Sequence, residues 1–303
     1  MARIREKLRH GGSSAPFAPT IATLDGEFVE TETAEETPEP MPFIEVGPRR
    51  YFEASADVLA ATPPPSALSG PHNALLRTPT PAAPKRGLAP ELVAYHAPGQ
   101  PSSARYSELL VSLLEAGRVR AGVPCRTLLL TAARAEIGTT TVLLNLAISA
   151  ARRGLRVVVV DANLRRPAIA ERLALPTSPG LTDVLAGEVA LEDALQATAQ
   201  DNLAMLAAGS PTALLADEAS LRDIVLALAT EFDLVLIDGP RIEHPLPAAG
   251  RAWDSRAASL LGTACQAMYL VVPTAETESV AMMELTAGLA ARALPLAGCI
   301  VAA

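Results

Sequence analysis

A glycine-rich turn follows an early apolar run of the sequence, and its residue types are suited to holding phosphate. The turn spans residues 133–141 and lies between a predicted strand, 126–131, and a predicted helix, 140–153. This is the setting of a phosphate-binding P-loop, in which backbone amides at the helix start surround the phosphates and a hydroxyl group binds magnesium. We therefore predict Thr140 as a magnesium ligand. The predicted nucleotide-binding residues of the turn are Gly138, Thr139, Thr140 and Thr141.

The turn lacks the lysine that a working P-loop carries before its serine or threonine. Thr139 occupies that position, and the whole chain has two lysines, Lys7 and Lys85, which both lie upstream. A hydrogen bond to a charged group is worth about 1.5–3 kcal/mol, so losing it weakens binding roughly ten- to a hundred-fold. Losing a preorganised donor to developing charge costs about 10²–10³ in rate. Nucleotide binding is therefore expected to survive better than phosphoryl transfer.

Two aspartates come directly after apolar strand-like runs. Asp161 follows four valines, and Asp238 follows the run 234–237. In P-loop folds, carboxylates at strand ends converge on the magnesium ion and the γ-phosphate. Carboxylate oxygens are also ligands that magnesium prefers. We therefore predict Asp161 and Asp238 as catalytic residues and, with Thr140, as magnesium ligands.

From about residue 91 the chain alternates predicted strands and helices. Uninterrupted β-branched runs suit parallel strands that are covered on both faces, and repeated β-α units indicate a three-layer α/β domain. We predict a P-loop NTPase fold with a mostly parallel sheet over residues 91–303. The further predicted strands are 156–160, 203–207, 234–237, 268–272 and 297–301. The further predicted helices are 106–115, 181–186, 191–199, 220–230 and 279–293.

Composition excludes some classes of protein. Half of the 303 residues are hydrophobic but only 3% are aromatic, which predicts an aliphatic core. The formal net charge of −8 argues against a general nucleic-acid binder, which usually carries a basic face. The three cysteines and four histidines show no disulfide or metal-ligand spacing. No run approaches 18 uncharged apolar residues, so no transmembrane segment is predicted.

Residues 1–90 differ from the rest, because they are rich in Pro, Ala, Ser, Thr and acidic residues. Such a segment buries too little apolar surface to offset its ordering entropy. We predict that it is a long disordered N-terminal segment. One island of aromatic and β-branched residues, 41–47, is either a docking peptide that orders on a partner or a chance apolar patch.

The run 157–167 resembles the second Walker segment of bacterial tyrosine kinases (BY-kinases), the P-loop kinases that control exopolysaccharide synthesis and export. Segments 179–187, 203–209 and 232–240 agree with that family in order and spacing. The resemblance covers about residues 101–301. It implies protein-tyrosine kinase activity with Mg²⁺ and ATP or ADP. It also implies a cytoplasmic protein held at the inner face of the membrane by an inner-membrane polysaccharide co-polymerase.

The chain departs from the family pattern in several places. Asn163 replaces the second acid of the Asp-x-Asp-x-Arg segment, whereas Arg165 remains and is predicted to bind nucleotide. After Tyr106 the only tyrosine is Tyr269, so no tyrosine cluster for autophosphorylation is present. Ring-like self-association is implied by the resemblance alone, since the three charged positions of the family's Glu-x-x-Arg-x-x-Arg segment differ in this chain. They are Ala104, Ser107 and Leu110.

Arg134 falls where the related MinD/ParA-type ATPases carry a signature lysine. This resemblance makes Arg134 a candidate catalytic residue that supplies the missing charge in cis or in trans. Its planar guanidinium is not equivalent to a lysine point charge. Arg166, next to Arg165, is interpreted as a surface charge.

The residues support three hypotheses about function. The first is a regulatory pseudokinase of exopolysaccharide production, weakly active or inactive, that still binds ATP or ADP. The second is an active, divergent tyrosine autokinase or ATPase that uses Arg134. The third is a nucleotide-free interaction module in which the N-terminal segment is the binding part.

Overall fold

The computed structural model describes residues 43–45, 87–210, 218–242, 253–273 and 279–302. The strands are β1 (Phe43–Glu45), β2 (Thr127–Ala132), β3 (Val157–Asp161), β4 (Leu195–Ala197), β5 (Leu203–Leu206), β6 (Leu234–Asp238), β7 (Ala267–Pro273) and β8 (Leu296–Ala302). The helices are α1 (Val93–His96), α2 (Pro101–Ala121), α3 (Thr139–Arg152), α4 (Ile169–Arg172), α5 (Leu181–Leu185), α6 (Leu191–Ala194), α7 (Glu218–Glu231), α8 (Trp253–Ala264) and α9 (Val280–Ala291).

The described strands form one sheet in the order β1-β8-β7-β2-β6-β3-β5-β4. Neighbouring strands are parallel, except that β4 is antiparallel to β5. Successive residues of a strand point to opposite faces, so Val157 and Val159 join one apolar cluster while Val158 and Val160 join the other. Helices α1–α4 contribute to the first cluster and α5–α9 to the second. The predicted three-layer fold with a mostly parallel sheet is therefore confirmed.

Helix α2 was predicted correctly as an element, but its observed ends lie beyond the predicted ones. The leucine pattern predicted a helix over 106–115, and the structure extends it to Pro101–Ala121. Pro101 stands in the first turn, where its fixed φ suits a helix start, and Gly122 ends the helix with φ 70°. In the part of the chain that the structure describes, no helix is both long enough and apolar enough to cross a bilayer.

One predicted helix, 191–199, is wrong beyond Ala194. Residues Leu195–Ala197 instead form β4 and pair with β5. The turn that follows is closed by Thr198, whose hydroxyl group donates to the carbonyl of Leu203 at 2.9 Å. Hydrogen bonds to the sheet edge override a local helical preference here, because propensity is a weak prior against tertiary pairing. Helices α1, α4 and α8 were not predicted.

Two parts of the region predicted to be disordered belong to the described structure. Phe43–Glu45, the centre of the apolar island 41–47, pairs in parallel with Cys299–Val301 at the edge of the sheet. Leu88 is buried, and the amide of Ala89 donates to the carbonyl of Arg172 at 2.9 Å. The other residues of 1–86 lie outside the described part of the chain, so the disorder prediction for them stays a prediction.

A short segment, residues 88–96, packs in the same apolar cluster as α3 and is hydrogen-bonded to the buried side chain of Asn145. The Asn145 amide accepts from Ala94 N at 2.9 Å. It donates to the carbonyl oxygens of Glu91 at 3.1 Å and Thr141 at 2.9 Å. One side chain therefore ties this segment to the first turns of α3.

We expect Asn145→Ala to lower the free energy of unfolding by about 1–3 kcal/mol, because the buried Ala94 amide loses its acceptor. Urea unfolding of the full chain measures this change. Ser149→Ala is the matched control, since Ser149 lies one turn further along α3 and its buried hydroxyl has no hydrogen-bond partner. The control should not destabilise the protein; equal losses in both variants would contradict the role of Asn145.

Candidate functional site

A cleft of about 340 Å³ lies at the carboxyl edge of the sheet, where β2 and β6 end. Parallel α/β sheets bind ligands at this edge, outside the carboxyl ends of their strands. Of the eight predicted site residues, Asp161 and Thr141 are not part of the cleft wall. The structure brings the other six together around the cleft: Arg134, Gly138, Thr139, Thr140, Arg165 and Asp238.

The backbone of the glycine-rich turn has a conformation that is typical of anion-binding turns. Glu136 has φ 64° and Gly138 has φ 86°, and left-handed residues within a turn produce such anion-binding concavities. Helix α3 starts at Thr139, and its first hydrogen bond runs from Val142 N to Gly138 O at 2.9 Å. The preceding amides are not used by the helix, so they can hold an anion at its positive end.

A buried hydroxyl–carboxylate pair lies beneath this turn. Thr140 Oγ1 donates to Asp238 Oδ2 at 2.6 Å, which joins the start of α3 to the end of β6. The hydroxyl oxygen keeps its lone pairs for a cation, and oxygen ligands of this kind suit Mg²⁺. Among the residues that the structure describes, no group of three or more His, Cys, Asp or Glu could hold a metal. Magnesium usually takes one or two ligands from a protein and completes its shell with phosphate or water oxygens, so the Thr140–Asp238 pair is compatible with it.

Asp161 takes a different position from Asp238, although the two are register partners on β3 and β6. Its carboxylate is fully buried and accepts three backbone amides: Asn163 at 3.3 Å, Ala168 at 2.9 Å and Ile169 at 3.0 Å. These bonds hold the loop after β3 and the start of α4. In this structure Asp161 lies outside the cleft wall and binds the amides of residues that form it. Its predicted role as a metal ligand stays a prediction.

Both buried carboxyl groups have raised pKa values. The pKa of Asp238 is raised to about 7, chiefly by burial and also by the nearby charge of Asp161, while the Thr140 hydrogen bond and the charge of Arg172 act to lower it. Burial also raises the pKa of Asp161 to about 6, against the lowering effect of its three amide bonds and of Arg172. Desolvation of a carboxylate is the dominant cause in both cases.

Arginines dominate the charge of the cleft. Among the residues that the structure describes, its wall has five arginines against two acidic residues, Glu136 and Asp238, within a chain of net charge −8. Arg166 is exposed and forms an ion pair with Glu136, so its interpretation as a surface charge holds although it borders the cleft. The arginines are Arg134, Arg165, Arg166, Arg172 and Arg241.

Sequence reasoning missed two of these arginines. Arg241 comes three residues after Asp238, and that position beyond a strand end was a signal that could have found it. Arg172 is the last residue of α4, a helix of four residues that the periodicity did not reveal. No pattern in the sequence marks Arg172, because the Asp161 hydrogen bonds bring its helix to the cleft.

No protein-family profile matches the chain. The chain is 28% identical over 157 residues to tyrosine-protein kinase YwqD of Bacillus subtilis, a match that covers 50% of this chain and 62% of YwqD. It is 32% identical over 111 residues to tyrosine-protein kinase ptk of Acinetobacter johnsonii, covering 35% of this chain and 15% of that protein. The chain thus spans less than two thirds of the length of these curated relatives.

Two solved structures have the same fold. The kinase domain of Escherichia coli tyrosine kinase ETK gives a TM-score of 0.58 at 23% identity, over 72% of this chain and 81% of that domain. The BceF tyrosine kinase domain gives 0.55 at 25% identity, over 69% of this chain and 81% of that domain.

The sheet order, the glycine-rich turn 133–141 (called the phosphate turn below) and the hydroxyl–carboxylate pair define a P-loop α/β protein. Within that class the chain is homologous to the bacterial tyrosine-protein kinases. The resemblance inferred from the sequence motifs is thereby confirmed.

Asp238→Asn should change how stability depends on pH. The carboxyl pKa is near 7 when folded and has an ordinary value of 3.8, so the folded state binds more protons between these limits. Stability of the wild type is therefore lost as pH rises from about 4 to 7. In magnesium-free buffer we expect the neutral variant to melt higher than wild type at pH 8, with a difference that shrinks toward pH 5.

Thermal melts from pH 5 to 8 measure this difference. Asn163→Ala is the control, because Asn163 lies on the same cleft and carries no titratable group. Its difference from wild type should not vary in this way. A pH-independent effect of Asp238→Asn would contradict the assignment.

Proposed function

We propose that this protein binds a nucleotide in the cleft and regulates a tyrosine-kinase system of exopolysaccharide production, with weak or no phosphoryl transfer of its own. The observation that carries the proposal is the Thr140–Asp238 pair at 2.6 Å beneath a phosphate turn whose lysine position is Thr139. The hydroxyl–carboxylate pair supports binding of a magnesium nucleotide, and Thr139 in place of the lysine supports weak phosphoryl transfer.

The binding half rests on the charge and backbone of the cleft. Amides at the start of α3 and five arginines on the wall favour a polyanion such as a di- or triphosphate. Thr140 and Asp238 would hold Mg²⁺, which neutralises phosphate charge when bound. The missing lysine costs roughly ten- to a hundred-fold in affinity, which the remaining cations offset in part.

The proposed weakness of phosphoryl transfer rests on the residues that stand at the catalytic positions. Phosphoryl transfer is catalysed almost entirely by positioning and by charge stabilisation. Thr139 supplies no charge there, and Asn163, which lines the cleft, is a neutral amide that cannot act as a general base. Tyr269 is fully buried and its hydroxyl donates to the carbonyl of Leu113, so it is not an accessible phosphate acceptor.

The proposed setting comes from the homologous kinases. A polysaccharide co-polymerase of the inner membrane is the proposed partner, and the inner face of that membrane is the proposed location.

Calorimetric titration of Mg-ADP and Mg-ATP into the full chain tests the binding half. We expect micromolar dissociation constants for wild type, and about ten- to a hundred-fold tighter binding for Thr139→Lys, because it restores one charged donor. Thr140→Ala should weaken binding by about ten-fold or more, since it removes the hydroxyl partner of Asp238. Ser149→Ala, on the same helix away from the cleft, should bind like wild type. Absence of binding in both wild type and Thr139→Lys would overturn the proposal in favour of an interaction module.

Incubation of the purified full chain with radiolabelled ATP tests the transfer half. We expect no more than trace autophosphorylation and slow ATP turnover, because the charge donor to the transferred phosphate is missing. Arg134 is exposed on the cleft wall, so the competing assignment is an active enzyme that uses it. Robust labelling that disappears in both Arg134→Ala and Asp238→Ala would establish that enzyme and refute the pseudokinase.

A further inference from the structure

Arg172 differs from the other arginines of the cleft in its burial. Its side chain is 27% exposed and its Nε atom is buried, whereas the side chain of Arg166 is 69% exposed. The three remaining cleft arginines are exposed as well. A charge that is partly withdrawn from water interacts more strongly with a ligand charge than an exposed one does. Burial therefore singles out Arg172 as the strongest cation for a ligand in this cleft.

The contacts of Arg172 leave part of its guanidinium group for a ligand. Its Nε atom lies 3.2 Å from Glu91 Oε1, close enough for an ion pair but not aligned for a hydrogen bond. Its Nη1 atom donates to the carbonyl of Ala168 at 3.2 Å. A guanidinium has five N–H donors, so these contacts do not exhaust it.

Arg172 is also positioned by the carboxyl groups at the base of the site. Asp161 binds the amides of Ala168 and Ile169, which start the helix that ends at Arg172. The charge of Arg172 lowers the pKa of both Asp161 and Asp238. Arg172 therefore lies within electrostatic reach of the Thr140–Asp238 pair and of the phosphate turn above it.

We propose that Arg172 contacts a phosphate group of the ligand, in place of the P-loop lysine that is absent at Thr139, and that Glu91 competes with that phosphate for Arg172. The inference rests on the nucleotide-binding function proposed above. A guanidinium matches phosphate oxygens with two parallel hydrogen bonds. Glu91 is 41% exposed, so its carboxylate can return to water when a phosphate displaces it.

Two probes and three variants of the full chain test this assignment by calorimetry. The probes are Mg-ADP and, without magnesium, inorganic pyrophosphate. Arg172→Gln should weaken both by about ten-fold or more, because a charged donor is lost. Arg152→Gln, the control, should leave both affinities unchanged, because Arg152 is exposed at the end of α3 and is not part of the cleft wall.

Glu91→Gln distinguishes ligand binding from a structural role of the ion pair. Removing the competing carboxylate should strengthen binding of both probes about two- to five-fold. If the Glu91–Arg172 pair only held residues 88–96 in place, both variants would change binding in the same direction. Opposite signs for Arg172→Gln and Glu91→Gln therefore support the proposal, and equal signs overturn it.

The failure of this inference differs from the failure of nucleotide binding. If ADP binds and Arg172→Gln binds it like wild type, the inference is wrong and the proposed function stands. If pyrophosphate binding depends on Arg172 while ADP does not bind, the inference stands and the proposed function fails. If neither probe binds wild type, both are wrong. Should Arg172→Gln fail to fold by circular dichroism, Arg172→Lys must show intermediate affinity, since it keeps the charge without the paired donors.

Discussion

Two carboxyl groups, those of Asp161 and Asp238, lie in register on neighbouring strands inside the protein. Buried charges are costly unless hydrogen bonds or opposite charges compensate them. Here the Thr140 hydroxyl compensates one carboxylate, three backbone amides compensate the other, and the charge of Arg172 acts on both. The phosphate turn, the loop after β3 and helix α4 are thus held around the carboxyl groups of Asp161 and Asp238.

The same contacts give the cleft its shape and its positive charge. Thr140 fixes the start of α3 against β6, so the turn keeps its row of amides. Asp161 fixes the start of α4, which puts Arg172 on the wall. The lysine of a working P-loop contacts the phosphates of the ligand, so it is not needed for these contacts within the protein. A chain with Thr139 in that position can therefore keep the architecture of the site while losing a contribution to the reaction.

The described residues of the N-terminal part of the chain are attached to the domain at two separate places. The strand Phe43–Glu45 extends the sheet beyond β8. The segment 88–96 lies against α3 through Asn145 and against α4 through Glu91 and Ala89. The second attachment reaches the cleft, because Glu91 pairs with one of its arginines. Glu91 therefore links the charge of the cleft to the attachment of residues 88–96.

The sequence by itself determined the parallel sheet, the phosphate turn, the missing lysine and the two aspartates at strand ends. These features are local, since a valine run, a glycine turn and a strand-end acid are each visible within about ten residues. Only the tertiary structure decided that Asp161 faces backbone amides instead of the cleft, that Leu195–Ala197 is a strand, and that Arg172 reaches the site. Those outcomes depend on partners far apart in the chain, such as Thr140 with Asp238, 98 residues away. Hydrogen bonds and burial at that separation exist only once the chain has folded, and local pattern carries no record of them.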